Sequence, residues 1–191
     1  MDGISVPSLL TTNHSGVSDM TGYAAFCGLF MLGLPVLFGW ADFFGHMGSV
    51  LALGMAAAGS AIGLGLAGQA AAGAWAKEAR AGRNLNFTYI ILTGMPISQT
   101  LYALIIMNNM STAVANGDFG PGQFGLLFGI GLGTGMAEML SAWMQGMVGA
   151  AGIRALSDGE GKVFAFVIIA MGIVETVGIF AMVFLLGMIP S

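Results

Sequence analysis

Val163–Ile189, VFAFVIIAMGIVETVGIFAMVFLLGMI, is the stretch whose reading decides the fold. It is long enough to cross a bilayer, for which about 20 apolar residues are needed. Its one charged residue, Glu175, sits near the middle. Insertion scales put the penalty for an ionised carboxylate at the centre of a spanning helix at about 2.5–3.5 kcal/mol. Such a group is expected to be protonated, paired with a cation, or exposed briefly to water. A purely structural helix has no need of it, so Glu175 is expected to be functional.

Working outward, three more apolar runs precede this one: Gly48–Ala76, Leu85–Met110 and Gly122–Ile153. None of the four contains Lys or Arg, so an internal salt bridge to Glu175 is unavailable. Together they use up nearly all of a chain that is 191 residues long, 57% hydrophobic and 7% charged. A soluble domain has about 25% charged residues, and a mean hydropathy of +0.88 leaves too little polar surface to face water. The expectation is an all-α integral membrane protein of two tandem transmembrane helical hairpins. The chain divides accordingly: 1–47, then a first hairpin at 48–118, then a second at 119–191 carrying Glu175.

Residues 1–20 are polar and read as a tail. Tyr23–Trp40, interrupted by Pro35 and followed by Asp42 and His46, could cross a thin bilayer or lie in the interface as an extra N-terminal helix. No positively charged segment precedes it, so a cleaved signal peptide is not expected. Cys27 is single and cannot form an internal disulfide. No basic patch points to nucleic acid. No nucleophile–base pair, phosphate loop or hydrolase metal motif points to an enzyme, and no cofactor is implied.

All five basic residues lie in two connectors, Lys77, Arg80 and Arg83 in one and Arg154 and Lys162 in the other. Cytoplasmic loops collect Lys and Arg, so both hairpin tips should face the cytoplasm. The middle connector, with Asp118, and the C-terminus should face outside.

The two hairpins read as copies. Gln69 and Gly73-Ala74 match Gln145 and Gly149-Ala150 at an offset of 145 − 69 = 76. The same offset pairs Leu51 with Leu127, Gly59 with Gly135, Ala61 with Ala137, Leu64 with Leu140, Met95 with Met171, Ile97 with Ile173 and Thr100 with Thr176. It also pairs Gln99 with Glu175, so one copy carries Glu where the other carries Gln. The first helix of each hairpin is rich in glycine (Gly54, Gly59, Gly63, Gly65, Gly68 and Gly73; Gly129, Gly131, Gly133 and Gly135). Small residues let helix backbones approach closely in lipid. Gly63-Leu64-Gly65-Leu66-Ala67-Gly68 matches a dinucleotide-binding pattern, but no strand precedes it and it lies inside an apolar helix.

Neutral oxygens for a cation at Glu175 are present. Gln99 and Gln145 offer amide oxygens, Ser98 and Thr176 offer hydroxyls, and Tyr102 can donate to the carboxylate. Pro96 has no N–H for the carbonyl of Leu92, which loosens that turn. One carboxylate among neutral oxygens suits a hard monovalent cation. Buried Gln, Ser and Tyr also serve simply to join membrane helices, worth about 0.6 kcal/mol each. Glu138 is a second carboxylate at membrane depth, on roughly the same helix face as Gln145. It is either a protonated, hydrogen-bonded structural group or a second ion-interacting site. Asp42, His14 and His46 read as tail or loop residues.

The run Gly94-Met95-Pro96-Ile97-Ser98-Gln99-Thr100-Leu101-Tyr102, with Gln145-Gly146-Met147-Val148-Gly149-Ala150-Ala151-Gly152-Ile153 and Val174-Glu175-Thr176, resembles the V-type ATPase proteolipid subunit K, the c-ring protein. The resemblance spans about residues 48–191. It implies a homo-oligomeric rotor ring in lipid, a stator subunit with ion half-channels, and a central-stalk subunit at the cytoplasmic loops. Sodium-binding members would hold Na+ on Glu175, with Gln99 and Gln145 as amide ligands, Ser98 as hydroxyl ligand, Met95 through its backbone carbonyl, and Tyr102 steadying the carboxylate. Ser98 stands where such members commonly have Thr. Residues 1–47 exceed the usual bacterial pattern, although some eukaryotic ring subunits also have an extra N-terminal span, and Glu138 has no counterpart in the resemblance.

The expected function is therefore Na+ translocation at Glu175, coupled to ATP hydrolysis or synthesis elsewhere. The same ring carrying H+ is the near alternative, since a proton needs only the carboxyl. A small secondary transporter or channel with duplicated hairpins is the distant one. Many transporters have inverted repeats, whereas here the basic loops give both hairpins one orientation.

Overall fold

The computed structural model describes residue 28 and residues 39–117, 121–159 and 161–190. The expectations for the 1–20 tail, Tyr23–Trp40, Cys27, His14 and the Asp118 turn lie largely or wholly outside these residues. The hairpins belong to one compact unit, Phe44–Ser191.

The described elements are helices: α1 Trp40–Arg80, α2 Thr88–Gly94, a short 3-10 turn at Met95–Ile97, α3 Ser98–Asn116, α4 Pro121–Asp158 and α5 Phe164–Leu186. Taking α2, the turn and α3 as one span, four segments among the described residues are long and apolar enough to cross a membrane. The protein is an all-α, multi-pass integral membrane protein of two tandem hairpins.

The helices overrun the apolar stretches. α1 has 41 residues and α4 has 38, about 60 and 57 Å at 1.5 Å per residue, against a hydrocarbon core of about 30 Å. Their ends therefore carry Lys77, Arg80 and Arg154 beyond the bilayer core on ordered helix. His46, expected in a loop, lies instead on α1, as does the backbone at Asp42. The apolar pattern stops short of the helix ends, while the helical hydrogen-bond ladder runs on.

At its end α1 stops at Gly82, whose φ of +65° only glycine adopts cheaply. Its N–H reaches Ala79 and the N–H of Arg83 reaches Glu78, the paired closure that satisfies the last carbonyls of a helix. The carboxylate of Glu78, buried here, accepts from the Asn86 N–H at 3.0 Å and from the Tyr89 hydroxyl. Trp75 donates its indole N–H to Asn86. Lys77 pairs with Asp158 across the two hairpin tips.

α1 and α4 touch backbone to backbone. A side chain on Gly63 would strike the Ala142 carbonyl, one on Gly146 would strike Gly63, and one on Gly59 would strike Met139. Gly48 and Gly131 meet in the same way near the other end. Of the glycines expected to pack, Gly59, Gly63, Gly131 and Gly135 do so within the chain, whereas Gly54, Gly65, Gly73 and Gly129 face open space. α5 is the most peripheral of these spans and α4 the most buried. That places Glu175 toward the outside of the bundle and Gln145 toward its interior.

Candidate functional site

Pro96 interrupts the span that carries four of the expected site residues. Between α2 and α3 the helix tightens to a 3-10 turn over Met95–Ile97. A proline cannot complete the ordinary ladder, and the Leu92 carbonyl next to this break faces Gly149 of α4. The turn delivers Met95, Ser98, Gln99 and Tyr102 to the junction of α3, α4 and α5.

There they join one hydrogen-bonded chain. The Ser98 hydroxyl lies 3.0 Å from the Met95 carbonyl and 3.2 Å from Gln99 Oε1, so three oxygens converge on a single hydroxyl hydrogen. Gln99 turns its amide N–H to Gln145 Oε1 at 3.2 Å and to Ser141 Oγ at 3.3 Å. Gln145 in turn donates to Glu175 Oε2 at 3.3 Å and to the Met171 carbonyl at 3.4 Å. From the other side Tyr102 donates its hydroxyl to Glu175 Oε1 at 2.9 Å. Gln99 and Gln145 are fully buried, and Glu175 is half-buried. Each buried amide is satisfied, which is what makes a polar cluster tolerable in an apolar bundle.

The structure thus brings together Met95, Ser98, Gln99, Tyr102, Gln145 and Glu175. It leaves out Thr176, whose hydroxyl is exposed and bonds back to the Ile173 carbonyl. It adds Ser141, which accepts from Gln99 and donates to the Val174 carbonyl at 3.1 Å, tying α4 to the turn of α5 that presents Glu175. Ser141 lies one helical turn before Gln145, and that spacing is the sequence signal for it. In the first hairpin the counterpart of Gln145, Gln69, is exposed. The repeat therefore yields one carboxylate site, and Gln99 serves the second hairpin's glutamate.

Glu138 does not join this chain. It is fully buried, and neither carboxyl oxygen has a hydrogen-bond partner. The expectation that it is hydrogen-bonded is not met.

Chemically, the cluster offers one carboxylate, two amide oxygens, a hydroxyl and a carbonyl, all oxygen donors. Such a set fits a hard monovalent cation, whose charge the single carboxylate balances, and Tyr102 and Gln145 hold that carboxylate in one orientation. The family model of the ATP synthase C-subunit matches residues 47–108 and again residues 128–188, one match per hairpin. No curated protein matches the chain.

Proposed function

Because the chain belongs to the ATP synthase C-subunit family, and is accordingly a non-catalytic, ion-translocating rotor-ring component of a rotary ATPase, we propose that it is the V-type form and carries Na+ on Glu175. Family membership sets aside the small secondary transporter, and it brings a ring with stator and stalk partners. The observation that supports sodium is the oxygen set around the carboxylate. Tyr102 and Gln145 bond Glu175, while Met95, Ser98 and Gln99 gather three further oxygens beside it. A proton needs none of those.

On this reading Na+ replaces the shared hydrogens as the hub of the cluster. The Ser98 hydroxyl and the Gln99 and Gln145 amides turn their oxygens inward, with the Met95 carbonyl completing the set. Releasing the ion leaves a bare carboxylate, whose cost in the apolar bundle keeps release confined to a wet half-channel of the stator. We place both hairpin tips in the cytoplasm, where the basic residues collect, and the stalk docks there. Residues 48–118 and 119–191 act as the two hairpins, preceded by 1–47.

Carbodiimide labelling tests the cargo. Such reagents attack a protonated carboxyl in an apolar setting, so Glu175 should be the principal labelled residue. Protection by Na+ across pH supports sodium. Labelling that Na+ never suppresses would assign the same ring to H+.

A further inference from the structure

Glu138 lies in the bundle interior, apart from the cluster around Glu175. Its side chain is 0% exposed, both of its carboxyl oxygens lack partners, and so does Thr134 Oγ1, one turn earlier on α4. The carboxyl projects at α5 where Gly178 has no side chain: a Cβ there would strike Glu138 Oε2 and lie 3.3 Å from Ser141 Oγ. Gly178 follows Glu175 by three residues, so Glu138 sits about one helical turn from the site carboxylate. It lies on the side away from the basic loops.

The neighbours give it no positive charge. The titratable groups within electrostatic reach are Glu175 on α5 and Tyr102 on α3. At this depth α1 brings no titratable side chain, with Gly59 against the Met139 backbone and Leu51 and Met55 against Gly135. An ionised carboxylate with neither hydrogen bonds nor counter-ion in such surroundings neutralises itself rather than bear the desolvation penalty.

We propose that Glu138 is a second proton-binding site of the chain, a carboxyl that keeps its proton at neutral pH while Glu175 exchanges its ion. Each copy in the ring then changes its charge inside the membrane at Glu175 alone. Gly178 is the position that makes room for the protonated group. The proposal holds whether Glu175 carries Na+ or H+, and so can fail independently of the cargo assignment.

Infrared spectroscopy of the full chain assembled in lipid tests it. In Glu175→Gln the C=O stretching band of a protonated carboxyl should persist at neutral pH. It should vanish in Glu175→Gln/Glu138→Gln and in Glu175→Gln/Glu138→Ala. A Glu175→Gln spectrum without the band overturns the proposal, as does a band that survives loss of Glu138. If neither double variant can be purified, Glu175→Gln/Glu78→Gln decides, because Glu78 is the other buried carboxyl among the described residues. A band that survives this change supports Glu138, and a band lost with Glu78 overturns it.

Discussion

Removing one oxygen atom, by Tyr102→Phe, tests how the site tells Na+ from a proton. In the wild type the Tyr102 hydroxyl donates to Glu175 Oε1 at 2.9 Å. A hydrogen bond to a charged group contributes about 1.5–3 kcal/mol, and one between neutral groups about 0.5–1.5 kcal/mol. Na+ keeps Glu175 ionised, whereas the competing proton makes it neutral. The bond therefore favours the sodium form over the protonated form by the difference, about 1–1.5 kcal/mol. At about 1.4 kcal/mol per tenfold, the Na+ concentration that half-protects Glu175 from carbodiimide should rise roughly five- to tenfold at fixed pH. Phe keeps the ring and its packing, so assembly should not change. The sign with pH follows: protons compete less as pH rises, so the gap between variant and wild type in absolute Na+ concentration narrows. An unchanged half-protection concentration would refute the role assigned to Tyr102.

Three further outcomes follow. Gln99→Leu strands Gln145 Oε1 and Ser141 Oγ without their donor; it should cost about 1–3 kcal/mol of stability, seen as a lower unfolding temperature in detergent, and should weaken Na+ protection. Gly146→Val drives a side chain into the Gly63 backbone, and overpacking of about 1–3 kcal/mol should separate α1 from α4 and reduce the yield of assembled ring on native gels. Asp158→Asn removes the pair with Lys77, but both side chains are largely exposed, so solvent screening should leave the unfolding temperature unchanged.

How far these features were legible in the sequence differs from residue to residue. Glu175 declared itself, because a lone carboxylate in Val163–Ile189 has no cheap structural explanation. Gln99 and Gln145 followed from the repeat, and the structure joins them through a direct amide–amide bond. Pro96 announced the break in its helix, since a missing N–H is a local property of the chain. Ser141 was not singled out, because a serine in a glycine-rich membrane helix looks like packing until its neighbours across the bundle are known. Thr176 misled for the opposite reason: adjacency to Glu175 in sequence puts it on another face of α5. The helix ends ran past the apolar stretches because hydropathy reports the bilayer, whereas the ladder of α1 stops only where Gly82 and its closing bonds end it. Glu138 was visible as an anomaly, but its lack of partners needed coordinates.

The most direct test of the central claim is equilibrium binding of radiolabelled Na+ to the purified, assembled ring, at a pH high enough that protons do not compete. The account predicts one Na+ bound per copy of the chain in the wild type and none in Glu175→Gln, with the variant still assembled. Sodium binding that survives Glu175→Gln, or a wild-type ring that binds none, would contradict it.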